Sequence, residues 1–155
     1  MRHFVLAAAA AAACFVTAAA AQLRPDQAAG TIRARQANYK QMAAAFKGIN
    51  DQLRSSSPSV PAIRRGSAVI ARHAPRLLRW FPRGSGPEAG IRTRALPLIW
   101  SDRAAFTRAG AGLVVAARNL QAAARSGDVA AIRAAAPAVG RACSGCHEDF
   151  RAPEQ

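Results

Sequence analysis

The sequence predicts an all-α chain folded as an antiparallel four-helix bundle, and three observations carry that expectation. Alanine dominates an apolar fraction of 51%, while aromatic residues make up only 6%. Such a composition suits helices packed at close range, because alanine favours helices and is depleted from strands. Four segments repeat apolar residues at steps of three and four, the seam of a packed helix. Two of the links between them are short and one is long, which returns the helices alongside one another as a bundle. The length, 155 residues, fits one domain with a leader, and the apolar content excludes wholesale disorder.

Residues 1–21 read as a secretory leader. Arg2 and His3 form a short basic start, residues 4–20 are apolar or near-neutral, and Ala19, Ala20 and Ala21 precede Gln22 as a small-residue cleavage site. A retained membrane anchor and a lipid attachment at Cys14 are the competing readings. The run is short and mostly alanine for a span, and Cys14 lies within the apolar run rather than after it. Residues 22–155 are then the folded domain, delivered to the periplasm, an oxidising compartment.

The first helix is expected from a cap at Asp26 to about Arg54, with Ile32, Arg35, Tyr39, Met42, Phe46, Ile49 and Leu53 on its seam. Ser59 caps the second, with Pro61 tolerated in its first turn. Its seam is Ile63, Gly66, Ile70, His73, Leu77 and Trp80, and Pro75 should kink or shorten it. Periodicity then fails across Pro82, Pro87, Pro97, Gly84, Gly86 and Gly90, the long connection. Ser101 or Asp102 caps the third helix, with Phe106, Gly110, Leu113, Ala117, Leu120 and Ala124 in register. Ser126 and Gly127 end it, and Asp128 caps the fourth, with Pro137 a kink point. That last seam is Val129, Ile132, Ala136, Val139, Cys143, Cys146 and Phe150. The small residues on the third and fourth seams allow close helix packing or leave room for a large flat group.

Lysine plus arginine totals 22 against 8 acids, a formal charge of +14. Arginine outnumbers lysine 20 to 2, which a GC-rich coding sequence would produce by itself. The basic residues are spread along the chain and the chain reads as exported, which argues against a nucleic-acid partner. A basic surface suits an acidic redox partner instead.

Cys143-Ser144-Gly145-Cys146-His147 carries the chemistry. C-x-x-C-H is the attachment pattern of c-type haem. Two thiols three residues apart share a helix face, each able to add to a haem vinyl group, and the following imidazole sits within reach of the iron. A thioredoxin-type pair would want a βαβ context. A structural zinc site would want four ligands, and His73, beyond the motif, is far off in sequence.

With that motif, the chain resembles the class II c-type cytochromes, the cytochrome c′ family, over nearly all of residues 22–155. The matching pieces are Arg35-Gln36 on the first helix, Trp80-Phe81-Pro82 with Gly84-Ser85-Gly86 in the connection, Ile99-Trp100-Ser101-Asp102, Val139-Gly140 before the haem motif, and Arg151 after it. Leu98 departs from the pattern where a glutamate often stands. The resemblance implies covalent haem c on Cys143 and Cys146, with His147 as the iron ligand. It places Tyr39 on the distal face, where low-spin relatives carry a ligating methionine, so the iron would be five-coordinate and high-spin. A neutral phenol is a weak ferric ligand at an ordinary pKa near ~10; tyrosinate ligation is the competing reading.

Met42 lies three residues further on, about 4.5 Å along the axis, and is read as core, with ligation in a low-spin carrier as the alternative. His73 is read as a hydrogen-bonded histidine at the core edge. Arg35, a guanidinium on an apolar seam, is expected to partner a haem propionate, and Arg151 to tune the iron from the proximal side. Phe46, Trp80, Phe106 and Phe150 are read as facing the haem or packing the core. Two functions follow: electron transfer with a redox partner protein, or binding of a diatomic gas such as nitric oxide or carbon monoxide. The chain offers no nucleophile–base pair and reads as a non-enzyme. The resemblance also implies a homodimer formed through the first two helices.

Overall fold

The computed structural model describes residues 23–153; the expected leader, its cleavage point and Cys14 lie outside the described residues. Among the described residues there are five α-helices: α1 (Pro25–Arg54), α2 (Val60–His73), a four-residue α3 (Leu98–Ser101), α4 (Arg103–Ser126) and α5 (Val129–Phe150). The four long ones form the expected bundle, and no strand occurs among the described residues.

The local signals act largely where the sequence places them. Ser59 Oγ accepts from the Ala62 N–H, Asp102 Oδ1 from Ala105 and Asp128 Oδ1 from Ala130, satisfying donors left open at each helix start. Gly127, at φ 82°, closes α4 in the left-handed conformation that glycine adopts without penalty. One boundary differs. Asp26 lies inside the first turn of α1 and Arg24 is the cap residue, with Pro25 first in the helix and Gln27 Oε1 accepting from the Arg24 N–H. Asp26 still sits at the positive end of the helix dipole.

Pro75 ends the second α-helix rather than bending it. The α pattern stops at His73, and a 3₁₀ segment (Ala74–Trp80) continues in the same direction, because proline lacks the N–H that an α turn needs. Pro137 does not break α5, which runs unbroken through an exposed position there.

In the bundle, α1 packs chiefly on α2, α2 on α4, and α4 on α5, while α1 and α5 scarcely touch. Arginines tie the helix ends together. Arg64 of α2 donates to the carbonyls of Ala124 and Arg125 at the end of α4, and Arg133 of α5 donates to Leu53 near the end of α1. Ile32, Ile49, Ile63, Ile70, Leu120 and Ile132 are sealed from solvent. Gly66 permits the α1–α2 approach. A Cβ there would lie 2.9 Å from Ile49 Cγ1 and 3.2 Å from the Ala45 carbonyl.

His73 is buried, its Nε2 3.1 Å from Gln41 Oε1 and its ring 5.7 Å from that of Trp80. Burial first, then Arg72 and Arg76, lowers its pKa.

Two outcomes test this packing. Gly66→Val should lower stability by about 1–3 kcal/mol through overpacking, read as a lower urea midpoint by circular dichroism. Because His73 binds its proton more weakly folded than unfolded, stability should fall as pH drops from about 7.5 through the ordinary histidine pKa of ~6.5. His73→Gln should flatten that slope in urea titrations at each pH.

Candidate haem site

Where α1 and α5 diverge, the bundle encloses a cavity of about 800 Å³, large within the ~300–1,000 Å³ of typical ligand pockets. Arg35, Tyr39, Met42, Cys143, Cys146, His147 and Arg151 all line it. The two walls explain why the seams are incompletely buried. Tyr39 and Phe46 on α1, and Cys143 and Cys146 on α5, occupy seam positions yet are only half-buried, because they face this space. Ala109, Gly110 and Ala142 lower the remaining walls, and alanine and glycine supply little side chain to fill it. His73 and Trp80 do not line the cavity; Trp80 instead meets the Tyr39 ring edge-on at 5.4 Å.

Cys143 and Cys146 stand one helical turn apart on α5 and form no disulfide with each other. Burial raises both thiol pKa values, that of Cys146 to about 11. His147 is half-buried next to them, its pKa lowered by burial and then by Arg151 and Arg94. A neutral imidazole has a free lone pair, the state in which it binds metals. On the opposite wall, burial holds the Tyr39 phenol well above its ordinary pKa, with Cys146 adding to that and Arg35 opposing it. Met42 is buried beside it on the same wall. The aromatic residues form a floor: Phe106 meets Phe81 at 5.0 Å and Phe150 at 5.2 Å, both edge-on.

Arg35 is 3% exposed. Its Nη1 donates to the Ser85 carbonyl at 2.7 Å and to Ser85 Oγ at 3.0 Å, and its Nη2 donates to Thr93 Oγ1 at 2.8 Å. The guanidinium also lies 4.6 Å from the centre of the Phe81 ring. These partners are neutral, and all belong to the long connection. Arg35 therefore pins that connection to α1 while its charge borders the cavity.

A second tie closes the same end. Ala95 and Arg151 form an isolated antiparallel bridge, in which Leu96 N–H donates to Phe150 O and Ala152 N–H to Arg94 O. Arg94 Nε returns a bond to Ala152 O at 2.7 Å. Arg94, Ser85 and Thr93 are the participants that sequence reasoning did not assign. Ser85 lies in the Gly84-Ser85-Gly86 segment that resembles the family, which by itself gives it no role, and no periodicity marks the other two. Leu98, where the sequence departs from the family pattern, is exposed at the start of α3.

The donor set fits a haem: two thiols and an imidazole on one wall, apolar rings below, and a volume of matching scale. Comparisons with known proteins agree. The family model described as Cytochrome C' matches residues 30–151. A cytochrome c' of Rubrivivax gelatinosus is 43% identical over 68 residues, 44% of this chain and 53% of that protein's length. One from Rhodopseudomonas palustris is 36% identical over 122 residues, 78% of this chain and 81% of its own. Among solved structures, cytochrome c' from Thermochromatium tepidum superposes with a TM-score of 0.75 at 28% identity, over 86% of this chain and all of that one. A nitric oxide complex of a cytochrome c prime variant from Alcaligenes xylosoxidans superposes at 0.72 with 27% identity, over 84% and 98%. A cytochrome c' with ligand-controlled dimer dissociation superposes at 0.75 with 26% identity, over 86% and 100%.

Replacing Arg35 with leucine should strand the Ser85 and Thr93 oxygens, at about 1–3 kcal/mol for each buried group left without a donor. The expected outcome is faster amide hydrogen exchange across residues 82–96 and a lower urea midpoint, with Arg35→Lys intermediate.

Proposed function

The chain belongs to the cytochrome c′ family and carries covalently attached haem c; from that premise we propose that it is a periplasmic electron carrier with a histidine-ligated, five-coordinate, high-spin iron. The observation that carries this reading is the opposition of the two cavity walls, with thiols and imidazole on α5 facing a protonated phenol on α1. When bound, haem supplies an iron that exchanges one electron between ferric and ferrous states and accepts axial ligands.

Cys143 and Cys146 hold the group through thioether bonds, and the rigid helix fixes their separation. His147 follows directly on the same helix and would supply the imidazole nitrogen that binds the iron. Its backbone carbonyl accepts from the Arg151 N–H at 3.2 Å, so the end of α5 stays wound beneath the ligand. Arg151 and Arg94 add positive charge on this side, which favours the reduced, less positive metal. Tyr39 keeps its proton and so acts as a wall rather than a donor. Met42, buried on the same wall, acts as packing rather than as an iron ligand. Arg35 presents its charge to a propionate while its hydrogen bonds hold the connection. Residues 1–21 serve as the export leader and residues 22–155 as the single haem domain.

A second reading, diatomic-gas binding, draws on the same wall. A protonated phenol opposite the α5 wall is a weak competitor for a small ligand, and the nitric oxide complex of a family relative supports this reading. The relative with ligand-controlled dimer dissociation supports a homodimer for this chain too. Neither reading requires catalysis.

Optical spectra of the holoprotein decide between ligand sets. A high-spin ferric spectrum that changes on adding nitric oxide is expected, and Tyr39→Met should shift it toward low spin. A methionine charge-transfer band in the unmodified protein would assign Met42 as ligand and overturn the five-coordinate reading.

A further inference from the structure

The acids and bases of this chain are distributed by different rules. Asp102 and Asp128 cap helices, Glu88 accepts from the Gly86 N–H, and Asp51 binds both Lys47 and Arg54. Carboxylates are thus largely committed to local structure, and the cationic surplus is left over. Part of that surplus collects at one place. Six Lys and Arg side chains line the cavity between α1 and α5, and no carboxylate does.

Coding bias accounts for many arginines, but not for where the lysines are. The chain has two, Lys40 and Lys47, against 20 arginines. Both lie on α1, both are exposed, and both border the cavity. Seven residues apart, they share one helix face at a spacing of about 10 Å. On the facing side, Arg151 is exposed and Arg94 half-buried. Lysine is a compact, strongly hydrated charge that does not commit to stacking or bidentate pairing. That suits a small, wet and transient contact of the kind that redox proteins make. Some opposing charge lies nearby: Asp51 offsets Lys47, and the exposed Glu148 and Asp149 follow His147 on α5. Six lining cations against these three acids leave the cavity edge net positive.

We infer that the cationic edge of the cavity, formed by Lys40, Lys47, Arg94 and Arg151, is the docking surface for an acidic redox protein. This rests on the electron-transfer reading. The partner presents a carboxylate patch around its own redox centre, so attraction orients the two centres toward each other before contact. Charge steering of this kind raises encounter rates by about 10–10³-fold and fades with salt.

The test uses the oxidised holoprotein and two reductants in stopped-flow and flash experiments. One is a reduced, acidic plant-type ferredoxin; the other is a neutral flavin semiquinone. Lys40→Glu and Lys47→Glu are compared with Arg118→Glu, an exposed site on α4 away from the cavity that makes the same change in net charge. Expected are ferredoxin rates that fall steeply with salt and drop about fivefold or more in the lysine variants. Arg118→Glu should stay within about twofold of the parent, and the flavin rates should not change. Lysine variants no slower than Arg118→Glu would overturn the docking surface and leave the electron-transfer reading standing. Failure of the neutral flavin to reduce the holoprotein would overturn that reading, and the docking surface with it.

Discussion

The structure depends on keeping α1 and α5 apart. Three of the four neighbouring faces of the bundle are closed by direct packing, and the fourth is held open along much of its length. In a close-packed protein an apolar gap of this size is costly, because its lining loses the contacts that dispersion would supply. Two devices hold it. At one end Arg133 reaches from α5 to the Leu53 carbonyl of α1. At the other, Arg35 and the Ala95–Arg151 bridge fasten the long connection across the helix ends. Between these ties the walls are built from alanine, glycine and half-buried side chains. A covalent haem c would fill such a gap with the flat apolar surface that the helices do not provide, and so would belong to the core as much as to the function.

The two walls differ in chemistry for physical reasons. Burial on α5 favours neutral thiols and a neutral imidazole, the forms that apolar surroundings stabilise. On α1, burial raises the Tyr39 phenol pKa more than the nearby Arg35 lowers it. The asymmetry of ligand and wall thus arises from one low-dielectric space acting on two different residue types. Arg35 is the exception that needs support. A buried guanidinium is tolerated because three hydrogen bonds and an aromatic face take up its donors and charge, and the same bonds make it an organiser of the connection.

Much of this was legible in the sequence. The seams of Ile32 to Leu53 and Val129 to Phe150 mark the faces that turn inward, and Ser59, Asp102 and Asp128 mark three of the four helix starts. Asp26 misled because Pro25 begins the helix one residue earlier. Cys143, Cys146, His147, Tyr39, Arg35, Met42 and Arg151, singled out from the motif, the seams and the family resemblance, all line one cavity. Arg94, Ser85 and Thr93 carried no comparable mark, since each sits in the aperiodic connection and meets partners about 50 residues away.

The amino-acid sequence by itself determined the helices, their caps and the cysteine–histidine face of α5, because hydrogen bonds and side-chain neighbours three or four residues apart act within one segment. Only the tertiary structure decided that α1 and α5 stand apart, that Arg35 fastens the connection, and that both lysines edge the opening. Those outcomes depend on which distant segments meet, and an irregular loop leaves no period from which its contacts can be read.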